Sequence, residues 1–182
     1  PDEMTDAVLS VLEEEGVKAT FFLIGSKIKE QEQLVRRIVE GGHIVANHSW
    51  RHNGTFPLAS AKKVGQELDW TVAEIERVTG KKPKLFRPPF GVTNPIIGRV
   101  SQSKGLVTIG WNVRSLDTVS STPRKNVLQR IMNGIVPGSV ILLHDRCEGA
   151  DALLRDLIAE LNKADYKIVP LDKLLDIQAY EN

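Results

Sequence analysis

Short apolar runs alternate with stretches of helical period from one end of the chain to the other, and no linker interrupts them. Met4, Val8, Leu9 and Leu12 recur at helical spacing up to Gly16, a C-terminal stop, and residues 19–24 then read as a buried strand. A helix over 27–40 ends at Gly41-Gly42. It is followed by a strand over 43–47, a longer helix over 58–79 stopped by Gly80, and a strand over 84–87 broken by Pro88-Pro89. Residues 106–111 read as strand, 123–133 as helix with Pro123 near its first turn, 139–143 as strand and 151–163 as helix. Residues 167–169 and a tail near 171–177 complete the pattern.

About six strands, nearly continuous in apolar residues and separated by helices, are the signature of a parallel sheet covered on its outer face. The polar residues that stand out lie just past the C-terminal ends of these strands, which is the rim where closed α/β barrels build their sites. An open doubly wound sheet would also use strand ends, but the turn after the first strand, Ile24-Gly25-Ser26-Lys27, lacks the glycine-rich phosphate fingerprint. The chain therefore predicts an incomplete (β/α) barrel formed as a single domain over 1–182. Its first element is a helix with no strand before it, so an N-terminal strand is expected to be missing. Without that strand residues 19–24 would present an open edge, and some other segment should cover it.

Composition removes several classes of function. A net charge of +1 with scattered basic pairs gives no stripe for a nucleic-acid backbone. No apolar stretch approaches the roughly 20 residues needed to span a bilayer. The single cysteine, Cys147, excludes an internal disulfide. Oligomeric state is not readable from the residues.

Three of the four histidines fall where strands would deliver side chains. His48 and His52 follow the apolar run Ile44-Val45-Ala46 at a spacing that, on a helical turn or a loop curling out of a strand, lets both rings reach one divalent ion. A surface helix pair is the ordinary alternative. His144 ends the run Val140-Ile141-Leu142-Leu143, while His43, at a strand start, is expected to be structural.

The segments Lys18-Ala19-Thr20-Phe21-Phe22-Leu23-Ile24-Gly25, Asn47-His48-Ser49-Trp50-Arg51-His52, Phe86-Arg87-Pro88-Pro89-Phe90-Gly91, Trp111-Asn112-Val113 running to Asp117, and Leu142-Leu143-His144-Asp145 resemble successive motifs of the polysaccharide deacetylases. This is the NodB-homology domain, or carbohydrate esterase family 4, and the resemblance covers essentially the whole chain. It implies a distorted barrel of about seven strands, with the first strand missing here, and metal-assisted hydrolysis of an acetyl group. By the same resemblance His48 and His52 are the metal-binding histidines, with zinc as the first choice and cobalt or nickel as alternatives. His144 is the general acid, oriented by Asp117; Arg87 holds the base aspartate; the Phe90 backbone N–H donates to the oxyanion; and Leu142 receives the acetyl methyl. Trp50 and Trp111 are possible sugar-stacking surfaces. Any one of these, taken alone, also has a plain structural explanation.

Departures from the family carry equal weight. The third metal ligand and the base belong to an N-terminal Thr-Phe-Asp-Asp-Gly-Pro motif that the chain does not contain. Pro1 stands at or just after its end, and Asp2 lies outside its sequence context. Near Asp117, Arg114 takes the place of an aspartate and Thr118 that of a tryptophan, which weakens one wall of the groove. Arg87, without its carboxylate, would need solvent or an anion, since an unpaired buried guanidinium costs several kcal/mol. These 182 residues are expected to turn over weakly or not at all. The implied substrate is an acetylated polysaccharide, with N-acetylglucosamine polymers such as peptidoglycan or chitin ahead of xylan, and the implied place of action is extracytoplasmic, in the cell envelope or secreted. A carbohydrate-binding pseudoenzyme of the same fold is the alternative, and a structural barrel whose histidines bind nothing is a third.

Overall fold

The computed structural model describes residues 4–119 and 121–181, so Pro1 and Asp2 lie outside the described residues. Its elements are α1 (Thr5–Glu14), β1 (Thr20–Leu23), α2 (Glu32–Glu40), β2 (Ile44–Asn47), α3 (Ala61–Thr79), β3 (Leu85–Phe86), α4 (Pro95–Ser103), β4 (Val107–Thr108), β5 (Val113–Arg114), α5 (Arg124–Gly134), β6 (Ile141–Leu142), α6 (Ala150–Lys163) and α7 (Leu171–Leu175). Strands β1 to β4 lie side by side in chain order and all pair in parallel, while β5 and β6 form a second parallel pair. Parallel neighbours joined through helices in sequence order are the right-handed repeat of an α/β barrel, here an incomplete one.

Side chains alternate across these strands with period two, and this decides what reaches the interior. In β2, Val45 packs outward with its β1 neighbour Phe21 and with Leu12 of α1 and Ile38 of α2, whereas Ile44 and Ala46 join Leu85 and Ile109 on the inner side. In β3, Leu85 points in and Phe86 packs out against Leu68 of α3 and Ile97 of α4. Ile141 of β6 packs out with Val113, Val127 and Leu157. Continuing each alternation places His48, Arg87, Leu142 and His144 on the inner face.

Several elements differ from the sequence expectation. The expected helix over 27–40 begins as two 3-10 turns, Gly25–Lys27 and Lys29–Gln31, before regular helix sets in at Glu32. The expected strand over 106–111 pairs only at Val107–Thr108 and resumes as β5. Helix α4 was not anticipated, although its start is well signalled. Asn94 Oδ1 accepts from the amides of Ile96 and Ile97, and Pro95 fills the first helical position.

Strand β1 pairs on one side only, with β2. Its other edge faces a cavity of about 680 Å³ that separates it from β6 and is walled on the outside by α1 and α6 through Val8, Leu12, Leu153 and Leu157. Among the described residues no strand covers that edge, contrary to the expectation that another segment would. The cavity opens toward the rim where β1, β2, β3 and β6 end.

Candidate functional site

The turn leaving β2 is held by a short network. Asn47, fully buried, donates from Nδ2 to the Leu68 carbonyl of α3 at 3.0 Å and accepts from the Ser49 amide at 2.9 Å. Ser49 Oγ accepts from the His52 amide at 3.1 Å. Both Ser49 and His52 sit at positive φ (65° and 52°), which is unfavourable for residues with a Cβ, and the bonds made by Asn47 and Ser49 offset that strain. The result is a tight curl, not a helical turn, that brings the His48 and His52 rings to 4.6 Å between centroids.

His48 Nδ1 lies 2.6 Å from the Arg87 carbonyl oxygen. A carbonyl can only accept, so Nδ1 carries the proton and Nε2 keeps its lone pair. Burial, reinforced by the charges of His52, Arg87 and His144, pushes the His48 pKa down to about 4, against the pull of the carbonyl bond. Burial and then the charges of Arg146, His144 and Lys27 hold His52 below its ordinary value as well. Both rings are therefore neutral near pH 7, the form that binds a cation. Two neutral imidazoles in contact, one with its tautomer fixed from behind, suit part of the shell of a borderline-soft divalent ion. Among the described residues no group of three His, Cys, Asp or Glu side chains is arranged to hold an ion, so the pair offers an incomplete shell.

His144 is held by Asp117 at two points. Asp117 Oδ2 accepts from the His144 amide at 2.6 Å, and Oδ1 lies 2.9 Å from His144 Nδ1. Ser115 Oγ donates to Oδ1 at 2.8 Å, and the Asp117 side chain is only 4% exposed. Burial alone would raise the Asp117 pKa, but the hydrogen bonds and charge of His144, with Ser115, outweigh it and leave the carboxyl below its usual range. A depressed folded pKa contributes stability above the unfolded value, and that stability is lost as pH falls through the folded pKa. The stability margin of the wild type over Asp117→Asn is thus expected to be constant at neutral pH and to shrink below about pH 3.8, the ordinary value. Denaturant midpoints of both proteins across pH measure it; an unchanged margin in acid would show that the His144–Asp117 bond does not favour the ionised carboxyl.

Arg87 is buried, and backbone carbonyls and aromatic rings take up part of its guanidinium. Its Nε donates to the Ile109 carbonyl at 3.3 Å and its Nη2 to the Gly110 carbonyl at 3.0 Å. The guanidinium carbon lies 4.0 Å from the Phe22 ring centroid and 5.5 Å from that of Trp111. Burial pulls its pKa to about 10, so it stays charged at neutral pH. After Pro88-Pro89 the chain turns at Phe90 (φ 59°) and Gly91 (φ 68°). Glycine is required at 91, because a Cβ would stand 2.2 Å from Trp111 Cη2. The exposed Phe90 ring lies 4.7 Å from that of His52.

The cavity between β1 and β6 is thus lined at its mouth by His48, His52, Arg87, Phe90, Asp117, Leu142 and His144. Trp111 stands just behind, over Gly91, and lines a second, smaller hollow with Ile109 and Val140. Trp50 is not brought to this cleft. Its ring packs on Gly25 and meets Trp70 edge-on at 5.9 Å, on the helix side of the sheet. His43 is buried and accepts from the Ala19 amide at 3.1 Å, a satisfied structural histidine. Sequence inspection missed Asn47, Ser49, Ser115 and Phe22. Only the Asn-x-Ser spacing, typical of side-chain-to-backbone turns, could have pointed to the first two.

The sequence profile of the polysaccharide deacetylase family matches residues 1–109. The chain is 32% identical over 174 residues to the peptidoglycan-N-acetylmuramic acid deacetylase PdaA of Bacillus subtilis, covering 94% of this chain and 66% of that protein. It is 32% identical over 173 residues to the peptidoglycan-N-acetylglucosamine deacetylase PgdA of Listeria monocytogenes, covering 94% of this chain and 36% of the relative. The chain thus spans less than two thirds of the length of either. Among solved structures, a CE4 family pseudoenzyme from Bacillus anthracis, BA3943, superposes with a TM-score of 0.89 at 30% identity, covering 96% of this chain and 61% of that one. A family 4 acetyl xylan esterase from Clostridium thermocellum in complex with a cobalt ion gives 0.89 at 31%, covering 97% and 86%. By profile, relatives and fold alike, the chain belongs to the polysaccharide deacetylase family.

Proposed function

We propose that this cleft removes acetyl groups from an N-acetylated cell-wall polysaccharide by metal-assisted hydrolysis of the amide. The observation that carries the proposal is the meeting, at one cavity mouth, of the His48–His52 pair with a third histidine clamped by a buried carboxylate. His48 and His52 would hold a divalent ion, zinc before cobalt or nickel; cobalt is the ion in one structural neighbour. When bound, such an ion polarises a carbonyl oxygen and lowers the pKa of a water.

In the reaction, a C–O bond forms from water to the acetyl carbon while a carboxylate base, which the described residues do not supply, takes the water's proton, and the C–N bond breaks, giving acetate and a free amine. His144, its Nδ1 side taken by Asp117, delivers a proton from Nε2 to the departing nitrogen. The Phe90 backbone N–H, aimed by the stiff Pro88-Pro89 turn, donates to the developing oxyanion. Leu142, on the inner face of β6, receives the acetyl methyl, and Trp111 offers the sugar a flat apolar wall. Arg87, fixed by two carbonyls and two rings, is placed to orient a carboxylate at the cavity mouth.

One observation favours a second function, a glycan-binding pseudoenzyme. Of the carboxylates that line the cleft, Asp117 is held by His144 at two points and Asp145 accepts from the Thr5 hydroxyl at 2.6 Å, so both are already engaged in hydrogen bonds within the chain. A CE4 pseudoenzyme is also among the structural neighbours. Acetate release from N-acetylated chitooligosaccharides and peptidoglycan by the complete gene product, with and without Zn²⁺, separates the two. Metal-dependent release supports the deacetylase, whereas saturable glycan binding with no release from any acetylated polymer supports the pseudoenzyme. Relatives named as peptidoglycan deacetylases support action outside the cytoplasmic membrane, and no helix among the described residues is long and apolar enough to cross one.

A further inference from the structure

The loop that carries His144 lacks support on one side. Among the described residues β6 pairs only with β5, and the cavity separates its other edge from β1, so no strand steadies the loop from that direction. Helix α1, on the outer wall of this gap, is fastened to the segment after β6 along its length. Val8, Leu9 and Leu12 pack with Ala150 and Leu154 of α6, and Glu14 accepts from Arg155 at 2.7 Å near the helix C-terminus. At the N-terminal end, Thr5 Oγ1 donates to Asp145 Oδ2 at 2.6 Å. Thr5 is fully buried, and Asp145 is the residue after His144. A threonine in the first turn of a helix ordinarily bonds to nearby backbone. This one reaches a residue 140 positions away. The carboxylate that it holds also lies at the positive end of the α1 dipole, which favours the contact.

Two neighbouring residues of one loop are therefore anchored to different elements. His144 is tied through its amide and Nδ1 to Asp117, in the loop after β5, while Asp145 is tied to α1. The Asp117 bonds by themselves leave a hinge, about which the loop could turn into the open cavity. A second anchor one residue further on removes that freedom and fixes the direction of His144 Nε2. We propose that Thr5 is a positioning residue, which through Asp145 holds the His144 imidazole at the angle needed to protonate the departing nitrogen. This rests on the hydrolase reading of the cleft. Thr5 does not line the cavity and acts only through the loop. Misplacing a reacting group by about 1 Å can lower a rate about 100-fold.

Kinetics of the complete gene product test this with two substrates: an N-acetylated chitooligosaccharide, whose amine must be protonated to leave, and 4-nitrophenyl acetate, whose phenolate leaves unaided. Thr5→Val, which keeps the shape and removes the hydroxyl, is expected to lower kcat on the amide by about 10- to 100-fold with KM unchanged. It should spare both the ester reaction and the zinc content. Thr5→Ser should restore the amide rate, and Asp145→Ala should add no further loss in the Thr5→Val background. An unchanged amide rate, an equal fall on both substrates, or a serine variant no better than the valine one overturns the positioning role. If the wild type releases no acetate from the amide, the hydrolase reading fails and heteronuclear NMR of the His144 ring decides the rest. An Nδ1–H signal that broadens in Thr5→Val but not in Thr5→Ser shows that the hydroxyl fixes the ring, and any other pattern overturns the positioning role too.

Discussion

Replacing His144 by alanine in the complete gene product is expected to lower acetate release by about 10²–10⁴-fold, the range for a positioned general acid, while leaving metal uptake unchanged. The separation follows from the hydrogen bonds. His144 is tied through Nδ1 and its own amide to Asp117, and its ring is not the partner that fixes either His48 or His52. Asp117→Asn should reproduce much of the loss, because an amide cannot accept from both the His144 amide and Nδ1 in the way the carboxylate does. It should also leave metal affinity alone. A His144→Ala protein as active as wild type would remove the imidazole from the chemistry and leave it as a structural ligand of Asp117.

The second large effect is on metal affinity. His48→Ala is expected to weaken Zn²⁺ binding by at least about 100-fold, more than the loss of a supporting hydrogen bond outside the coordination shell would cause. With only two imidazoles offered by the described residues, losing one leaves a single protein donor, and the cation reverts largely to water ligands. Competition titration with a chromogenic chelator measures it. The His48→Ala protein should keep its fold, since Asn47 and Ser49 continue to hold the turn through bonds that do not involve the ring. Zinc affinity within a few-fold of wild type would mean that the pair is not a ligand set.

Much of the site was legible because strands alternate their side chains with period two. Once residues 43–47 and 139–143 are read as strands entering a core, His48 and His144 fall on the inner face by parity, and Arg87 does so by the same count from Leu85. The barrel followed from the order of apolar runs, because parallel strands joined by helices have few ways to pack. What escaped was determined by contacts distant in sequence. The two carbonyls that satisfy Arg87 lie more than twenty residues downstream, and the Phe22 ring over it comes from another strand. Trp50 looked like a sugar platform in its motif, yet Gly25 and Trp70 take up its ring. Helix α4 was missed even though Asn94-Pro95 is a strong start signal, because the preceding Pro-Pro-Phe-Gly stretch reads as loop and α4 buries only Ile97 and Ser101.

Zinc content and acetate release, measured on the same preparations of the complete gene product as wild type, His48→Ala and His144→Ala with an N-acetylated oligosaccharide, test the central claim most directly. The expected pattern is both properties in the wild type, neither in His48→Ala, and zinc without acetate in His144→Ala. Metal content and rate that are indifferent to both substitutions would contradict the claim that these histidines form one hydrolytic site.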